Sequence, residues 1–275
     1  MKDFRNKVAA ITGAGSGMGR ALAIELAARG CGVAIADIGR TALNETESTL
    51  SRSGVKVSSH VVDVADRAAM ERYAAEVVRI HGKVNLVFNN AGVSVTNTVE
   101  KLSYDDFEWL MNINFWGVVH GTKAFLPYLR QVDEAHIINT SSIFGVVAFP
   151  SQAAYNASKF AVRGFTEALR QELADTHIGV SCVQPGGVKT NIVKTSRYYA
   201  TDNEAPTKEE MTKSFEQLAA LTPHDAAMQI LRGVESNRGR VLVGRDAKLL
   251  AWVQRLFPES YARRLGSMTK VLRRS

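Results

Sequence analysis

The stretch AAYNASKFAV, residues 153–162, sets a phenol and an ammonium four positions apart with only Asn, Ala and Ser between them. Four positions is one helical turn, so Tyr155 and Lys159 share a face of any helix formed there. A phenol has a reference pKa near ~10, and each unit of depression takes about 1.4 kcal/mol of differential stabilisation. A neighbouring ammonium supplies a field of that sign. Two readings are open: a surface tyrosine lying on a lysine stem, or a proton donor tuned toward working pH. The rest of the chain has to choose.

A second chemical signal lies near the N-terminus. TGAGSGMG, residues 12–19, follows an apolar run directly and opens a helical pattern. Backbone N–H groups in such a turn, with the helix dipole behind them, face a pyrophosphate. Gly13, Gly15, Ser16, Gly17, Met18 and Gly19 are therefore candidate cofactor-binding residues. Asp37 ends the second strand-like run, VAIAD. A carboxylate there accepts from a ribose 2′-hydroxyl and repels a 2′-phosphate, which favours NAD over NADP. Arg40, three residues on, can swing to a phosphate and keeps NADP open as the alternative. Asp37 can also serve as a helix N-cap. Asp63, ending the third strand in VVDV, is placed to meet an adenine with its carboxylate and the Val64 amide.

These groups need a scaffold, and the chain supplies one by alternation. KVAAIT, GVAIAD, KVSSHVVDV, KVNLVFNNAG, HIINTSS, GVSCVQP and RVLVG are short apolar runs separated by longer helical patterns. Nearly continuous apolar strands are expected where helices cover both faces of a parallel sheet. The pattern predicts an α/β, Rossmann-type, doubly wound parallel sheet of seven strands with helices on both faces. No linker, low-complexity tract or repeat divides residues 1–275, which read as one domain. Residues 190–222 break the rhythm with polar and aromatic content and are predicted to form a lid over the strand ends.

Composition narrows the function classes. The chain is 45% hydrophobic and 22% charged, ordinary for a soluble globular protein. No apolar run approaches the roughly 18–20 residues of a membrane span. Cys31 and Cys182 sit in apolar runs and read as buried thiols, which suits a reducing, cytoplasmic compartment. The six histidines fall singly, so no metal site is expected. The net charge of +7 is concentrated: residues 238–275 hold ten Lys/Arg against two acids, while residues 1–237 carry 24 basic and 25 acidic side chains. The body is neutral, which argues against nucleic-acid binding. Residues 245–275 form a basic amphipathic extension, with Leu249, Trp252, Val253 and Leu256 at helical spacing, Pro258 interrupting, and Tyr261, Leu265, Met268 and Leu272 resuming. It is expected to dock on the body or a second subunit through Trp252, Leu256, Leu265 and Met268. Peripheral membrane contact is the alternative.

With TG-x-x-x-G-x-G at the first turn, NNAG at residues 89–92, a serine thirteen residues ahead of the Tyr155/Lys159 pair, Asn114 in MNINFWG and PGG at residues 185–187, the sequence resembles the short-chain dehydrogenase/reductase family. The resemblance runs in register from about residue 5 to 190. It implies that Asn114, Ser142, Tyr155 and Lys159 form the catalytic set of an NAD(P)-dependent oxidoreductase, and the thirteen-residue spacing selects Ser142 over Ser141. Tyr155 would give or take the proton, Ser142 would polarise the carbonyl, and Lys159 would also reach the nicotinamide ribose. Asn114 would hold a water near Lys159; a helix-kinking structural asparagine is the other reading. Asn90, Ala91 and Gly92 would leave room for the adenosine ribose. Pro185, Gly186, the Val188 backbone and the Thr190 hydroxyl would flank the nicotinamide. Transfer of the pro-S hydride follows from the resemblance alone.

The substrate site should be lined by Val93, Ser94, Ile143, Phe144, Phe149 and Gln152, together with Tyr198, Tyr199, Met211 and Phe215 from the lid. Mostly apolar or aromatic and without clustered arginine, it suits a bulky, lipophilic, uncharged ketone or secondary alcohol. A non-catalytic dinucleotide-binding sensor is the competing reading, though it needs no Ser/Tyr/Lys/Asn set. The resemblance also implies a homo-oligomer, dimer or tetramer. Phe107, Leu110, Met111 and Phe115 on one helix, and Phe160, Phe165 and Leu169 on the next, would supply the apolar faces.

Overall fold

The computed structural model describes residues 1–200 and 207–264. Seven apolar runs form strands: β1 Val8–Thr12, β2 Gly32–Asp37, β3 Val57–Val61, β4 Leu86–Asn89, β6 Ala135–Thr140, β7 Ile178–Pro185 and β9 Arg240–Val243. They pair in parallel in the order β3-β2-β1-β4-β6-β7-β9. Successive side chains of a strand point to opposite faces. Accordingly Ala9 and Ile11 enter one core with Leu22, Leu26, Ile230 and Leu231. Val8 and Ala10 enter the other, with Met70, Tyr73, Phe125 and Leu129. The expected doubly wound sheet is present. Strand order reverses between β1 and β4, and the crevice beyond their carboxyl ends is where such sheets bind ligands. Thr12–Gly19 and Asn89–Gly92 meet there.

The helices are α1 Gly17–Ala28, α2 Arg40–Leu50, α3 Arg67–His81, α4 Tyr104–Met111, α5 Gly117–Leu129, α6 Ala153–Glu172, α7 Lys208–Leu218, α8 Pro223–Glu235 and α9 Arg245–Leu256. Between α4 and α5 the chain stays helical through a π turn, Asn112–Trp116, which carries Asn114. Such turns insert a residue and re-aim the face that follows. On α6 the buried residues other than Asn156, namely Ala154, Ser158, Lys159, Val162, Thr166 and Leu169, follow helical spacing, so the sheet-facing stripe of this helix includes Lys159.

Three expectations are corrected. Leu110 and Leu169 turn into the chain's own cores, and Phe115 packs edge-on against Phe165 with centroids 6.3 Å apart. Phe160 is exposed as expected, and Trp116, outside the expected set, is exposed as well. β3 stops at Val61, so Asp63 lies past the strand in the turn before α3, where its Oδ1 accepts from the Ala65 amide at 2.9 Å. In the C-terminal extension, α9 docks through its small residues. Ala247 and Ala251 are buried with Leu250 and Tyr261 packed beside them, while Trp252 and Leu256 are 65% and 50% exposed. Leu265 and Met268 lie outside the described residues.

One end of the lid is tied to the body at the cavity's edge. A two-residue strand, β8 Arg197–Tyr198, pairs with β5 Val95–Thr96. Arg197 ion-pairs with Asp106 at 2.7 Å and stacks on Trp109 at 3.7 Å. Residues 201–206 of the expected lid lie outside the described residues. Burial pushes the Cys31 thiol up to about 12 and Cys182 to about 11. Among the described residues no helix is long and apolar enough to cross a membrane.

Candidate active site

The end of β6 and the first turns of α6 bring the central groups together. Gly145, in the short 3₁₀ turn after β6, makes the approach possible: a Cβ there would lie 2.6 Å from the Lys159 carbonyl oxygen. The neighbouring serines then separate by role. Ser141 donates to the Lys159 carbonyl at 2.7 Å and is structural. Ser142 faces the other way, accepts from the Phe144 amide at 3.1 Å and hydrogen-bonds the Tyr155 hydroxyl oxygen. Lys159 donates from Nζ to the Thr140 carbonyl at 3.1 Å and stands 5.5 Å from the Tyr155 ring centroid. The opening pair is therefore an interior arrangement, with Lys159 only 2% exposed.

Burial sets the protonation of this pair. Burial pushes the Tyr155 phenol up to about 12, and the Ser142 hydrogen bond pulls the other way. Burial also pulls the Lys159 ammonium down to about 8. Of the two influences on the phenol, burial is the larger. At pH 7 the site thus holds a protonated phenol beside an ammonium, the form that can give a proton to an oxygen placed in the cavity.

Asn114 is fully buried in the π turn. Its Oδ1 accepts from the Val93 amide at 2.8 Å, and its Nδ2 donates to the Val93 carbonyl at 3.0 Å and to Ser158 Oγ at 3.1 Å. With these partners the amide's burial carries no unmet hydrogen bond. Both amide hydrogens are committed, so only the second lone pair of Oδ1 is left to hold a water. A Cβ on Gly92 would stand 3.2 Å from that Oδ1 and 3.3 Å from Lys159 Nζ, so the two atoms flank the same point.

The glycine turn has the shape of a phosphate cradle. Gly13 and Gly17 adopt φ of 65° and 52°, which disfavour any side chain. A Cβ on Gly19 would lie 2.1 Å from the Gly13 carbonyl oxygen. Ser16 precedes α1 in extended conformation, and no side chain caps the helix, so its first amides remain available to an anion. Met18 lines the cavity. Asp37 accepts from the Gly15 amide at 2.9 Å and the Gly39 amide at 3.0 Å. Gly39, not Asp37, is the N-cap of α2. Arg40 is exposed at the first position of that helix. Val64 is buried, its side chain against Gly117. Asn90 Oδ1 is buried without a protein partner, as fits a residue that accepts from a ribose hydroxyl.

Sequence reasoning missed several contributors, four of which bear on how the site is held. Thr12 Oγ1 accepts from the Asn90 and Ala91 amides at 3.0 and 3.1 Å, fastening the β4 loop to β1. Arg20 joins the glycine turn to α2 through the Gly15 carbonyl, Thr46 and Glu45. Asp246 and Leu250, from α9, line the cavity. The signal for Thr12 was its place at the strand end before the first glycine; α9 gave no such signal.

A cavity of about 480 Å³ connects these parts. It runs from Met18, Asn90 and Gly92 past Ser142, Tyr155 and Lys159, along Pro185–Val188 and Thr190, to Phe144, Phe149, Met211 and Phe215. Ser94, Ile143 and Gln152 line it as expected. Val93, Tyr198 and Tyr199 do not. Val93 packs beside Leu110, Tyr198 pairs in β8 with Thr96, and the Tyr199 hydroxyl bonds Asp106.

This geometry has close counterparts. Residues 7–200 match the short chain dehydrogenase family model. SadH of Mycobacterium tuberculosis, a protein named as an oxidoreductase, is 43% identical over 266 residues, covering 96% of this chain and 95% of the relative. The C alpha-dehydrogenase of Sphingobium sp. SYK-6 is 34% identical, covering 86% of this chain and 80% of that one. Among solved structures, a short chain dehydrogenase/reductase from Burkholderia phymatum in complex with NAD superposes with a TM-score of 0.85 at 34% identity, covering 94% of this chain and 96% of that chain. Carveol dehydrogenase from Mycobacterium avium in complex with NAD gives 0.77 at 25% identity, covering 88% and 98%. With residues 7–200 matching the family model and a relative 43% identical over 266 residues, the chain belongs to the short chain dehydrogenase family of oxidoreductases.

Proposed function

We propose that this protein is an NAD-dependent oxidoreductase that interconverts a bulky, uncharged ketone and its secondary alcohol. The observation that carries this reading is the convergence of Ser142, Tyr155 and Lys159 on a cavity continuous with the glycine turn. A dinucleotide sensor needs the turn but not the proton donor. The amides of Gly15–Gly19 would hold the pyrophosphate, Asp37 the adenosine ribose, Asp63 and Val64 the adenine, and Lys159 and Tyr155 the nicotinamide ribose. Val188 and Thr190 would take the carboxamide. Bound NADH supplies the hydride that reaches the carbonyl carbon.

The residues of the chain supply the rest. Ser142 donates to the substrate oxygen and holds it beside the phenol. The Tyr155 O–H gives its proton to that oxygen as negative charge develops there, and the phenolate left behind is stabilised by Lys159. Alcohol oxidation runs the same transfer backwards. Asn114 keeps the Gly92–Val93 backbone against α6, and the free lone pair of its Oδ1 offers a site for a water on the way to Lys159.

The substrate class follows from the cavity wall. Phe144 and Phe149 stack with centroids 4.6 Å apart, and Met211, Phe215, Leu218 and Leu250 continue the apolar surface. Lys159 and Asp246 are the charged side chains among the described lining residues. The names of two relatives, carveol dehydrogenase and C alpha-dehydrogenase, support dehydrogenase chemistry. Supplying NADH with a panel of bulky uncharged ketones tests the proposal: consumption of the reduced nicotinamide is expected, and none with any member overturns it.

A homo-oligomer belongs to the same proposal. Trp116 and Phe160 are 46% and 41% exposed on neighbouring helical elements and would be covered by a second copy. Light scattering at micromolar concentration is expected to give at least twice the 30.0 kDa of one chain; a monomer would reject this. The exposed row Leu249, Trp252 and Leu256 on α9, with Lys248 and Arg255 beside it, is a second uncovered apolar surface. It supports subunit contact first and contact with an anionic membrane surface second, which sedimentation with anionic vesicles distinguishes.

A further inference from the structure

α9 begins where the chain leaves the edge strand β9. Gly244, at φ of 101°, turns the chain, and Ala247 and Ala251 then pack against Ile143, Val146 and Val147, just beyond Ser142. This places Asp246 in the first turn of the helix, on the cavity wall. Its Oδ2 accepts a 2.6 Å hydrogen bond from the Gly187 amide, 59 residues earlier in the chain. The contact is close along its length. A Cβ on Gly186 would lie 2.1 Å from the same oxygen, so any side chain there would push the carboxylate off the Gly187 amide. An acid in a first helical turn usually answers the helix dipole. Here it also holds a loop of the site.

That loop is gripped on each side. The Gly186 amide donates to the Val243 carbonyl at 2.9 Å. The Gly187 carbonyl accepts from Leu221 at 3.4 Å, and the Lys189 amide donates to the Leu221 carbonyl at 2.9 Å. Thr190 then approaches the glycine turn, its Cγ2 3.1 Å from where a Gly17 Cβ would stand. Of the grips on Gly186–Lys189, the one from Asp246 comes from a charged side chain, and charge-assisted bonds to backbone amides are about twice as strong as neutral ones.

We infer that Asp246 is a positioning residue: its carboxylate fixes the Gly186–Gly187 backbone so that Val188 and Thr190 face the nicotinamide end of the cavity. The C-terminal helix is thereby part of the cofactor site and not only a covering of the core. The inference rests on the cofactor reading given above, so its test needs an arm that does not depend on cofactor.

Asp246→Ala removes the acceptor, and Asp246→Asn keeps an amide oxygen that can accept the same bond. NADH affinity, read by nicotinamide fluorescence, is expected to fall about tenfold in the alanine variant, and by no more than about threefold in the asparagine variant. Amide hydrogen exchange of residues 186–189 in the cofactor-free protein is expected to quicken in Asp246→Ala and to stay near wild type in Asp246→Asn, with the melting temperature read alongside. Unchanged exchange in Asp246→Ala overturns the inference whether or not NADH binds. So does an asparagine variant as impaired as the alanine variant. A wild type that fails to bind NADH, with exchange responding as expected, sinks the cofactor reading and leaves Asp246 holding the loop.

Discussion

Replacing Tyr155 with phenylalanine is expected to lower turnover by at least the ~10²-fold typical of losing general acid–base catalysis, with NADH affinity little changed. The substitution removes the O–H while keeping the ring, which meets Phe144 edge-on at 6.0 Å, and so leaves the cavity wall in place. The pH profile separates chemistry from damage. The phenol lies up at about 12 and the Lys159 ammonium down at about 8. Ketone reduction needs the protonated phenol and gains from the ammonium. It should therefore be flat below about 8 and decline as pH rises through that value, where Lys159 loses its charge. Alcohol oxidation needs the deprotonated form and should rise over the same range. In Tyr155→Phe the residual rate should stay low on both sides of that value. Comparable turnover in the variant, with the wild-type profile, would remove Tyr155 from the mechanism.

Asp37→Ala is expected to shift the ratio of kcat/KM for NADH over NADPH by about 10²-fold toward NADPH. Two effects add. A hydrogen bond to a charged acceptor is worth roughly 1.5–3 kcal/mol, and the repulsion felt by a 2′-phosphate disappears with the carboxylate. Asp37 also holds the Gly15 and Gly39 amides, so the variant should bind both cofactors less well. That loss is common to both and cancels in the ratio. Arg40, exposed at the start of α2, is left to meet the 2′-phosphate. A wild type that prefers NADPH would mean that Arg40 outweighs Asp37, and the assignment of NAD would fail.

The strands and the glycine turn were legible because each is a local matter. Continuous apolar runs declare a sheet covered on both faces, and a glycine turn between strand and helix declares its own backbone shape. What the sequence left hidden depends on distance or on size. Ser141 and Ser142 are adjacent and alike. The resemblance selects Ser142 by its spacing, but the residue types alone do not. The reason lies in the extended segment, whose side chains point opposite ways, and in the approach of α6 at Gly145, which takes up Ser141. The environment of Asn114 needed a π turn, which no spacing of apolar residues announces. Trp252 and Leu256 looked like anchors because they are large. α9 lies so close to the Ile143–Val147 segment that alanines fit the contact and the large residues face outward. Tyr198 and Tyr199 looked like lid aromatics, yet the β5–β8 pairing and Asp106 draw them aside. Asp246 meets Gly187 across 59 residues, a contact visible only once β7 and β9 are side by side.

The central claim is that hydride and proton are delivered to the two ends of one carbonyl in this cavity. The most direct measurement supplies NADH deuterated at C4, separately on each face, with the panel of bulky uncharged ketones, and weighs the product alcohols. The account predicts a secondary alcohol one mass unit heavier from one of the two labelled cofactors and unlabelled alcohol from the other, with product formation lost in Tyr155→Phe. Tight NADH binding with no labelled alcohol from either cofactor and any ketone would contradict it, and would favour a protein that senses the dinucleotide without using it.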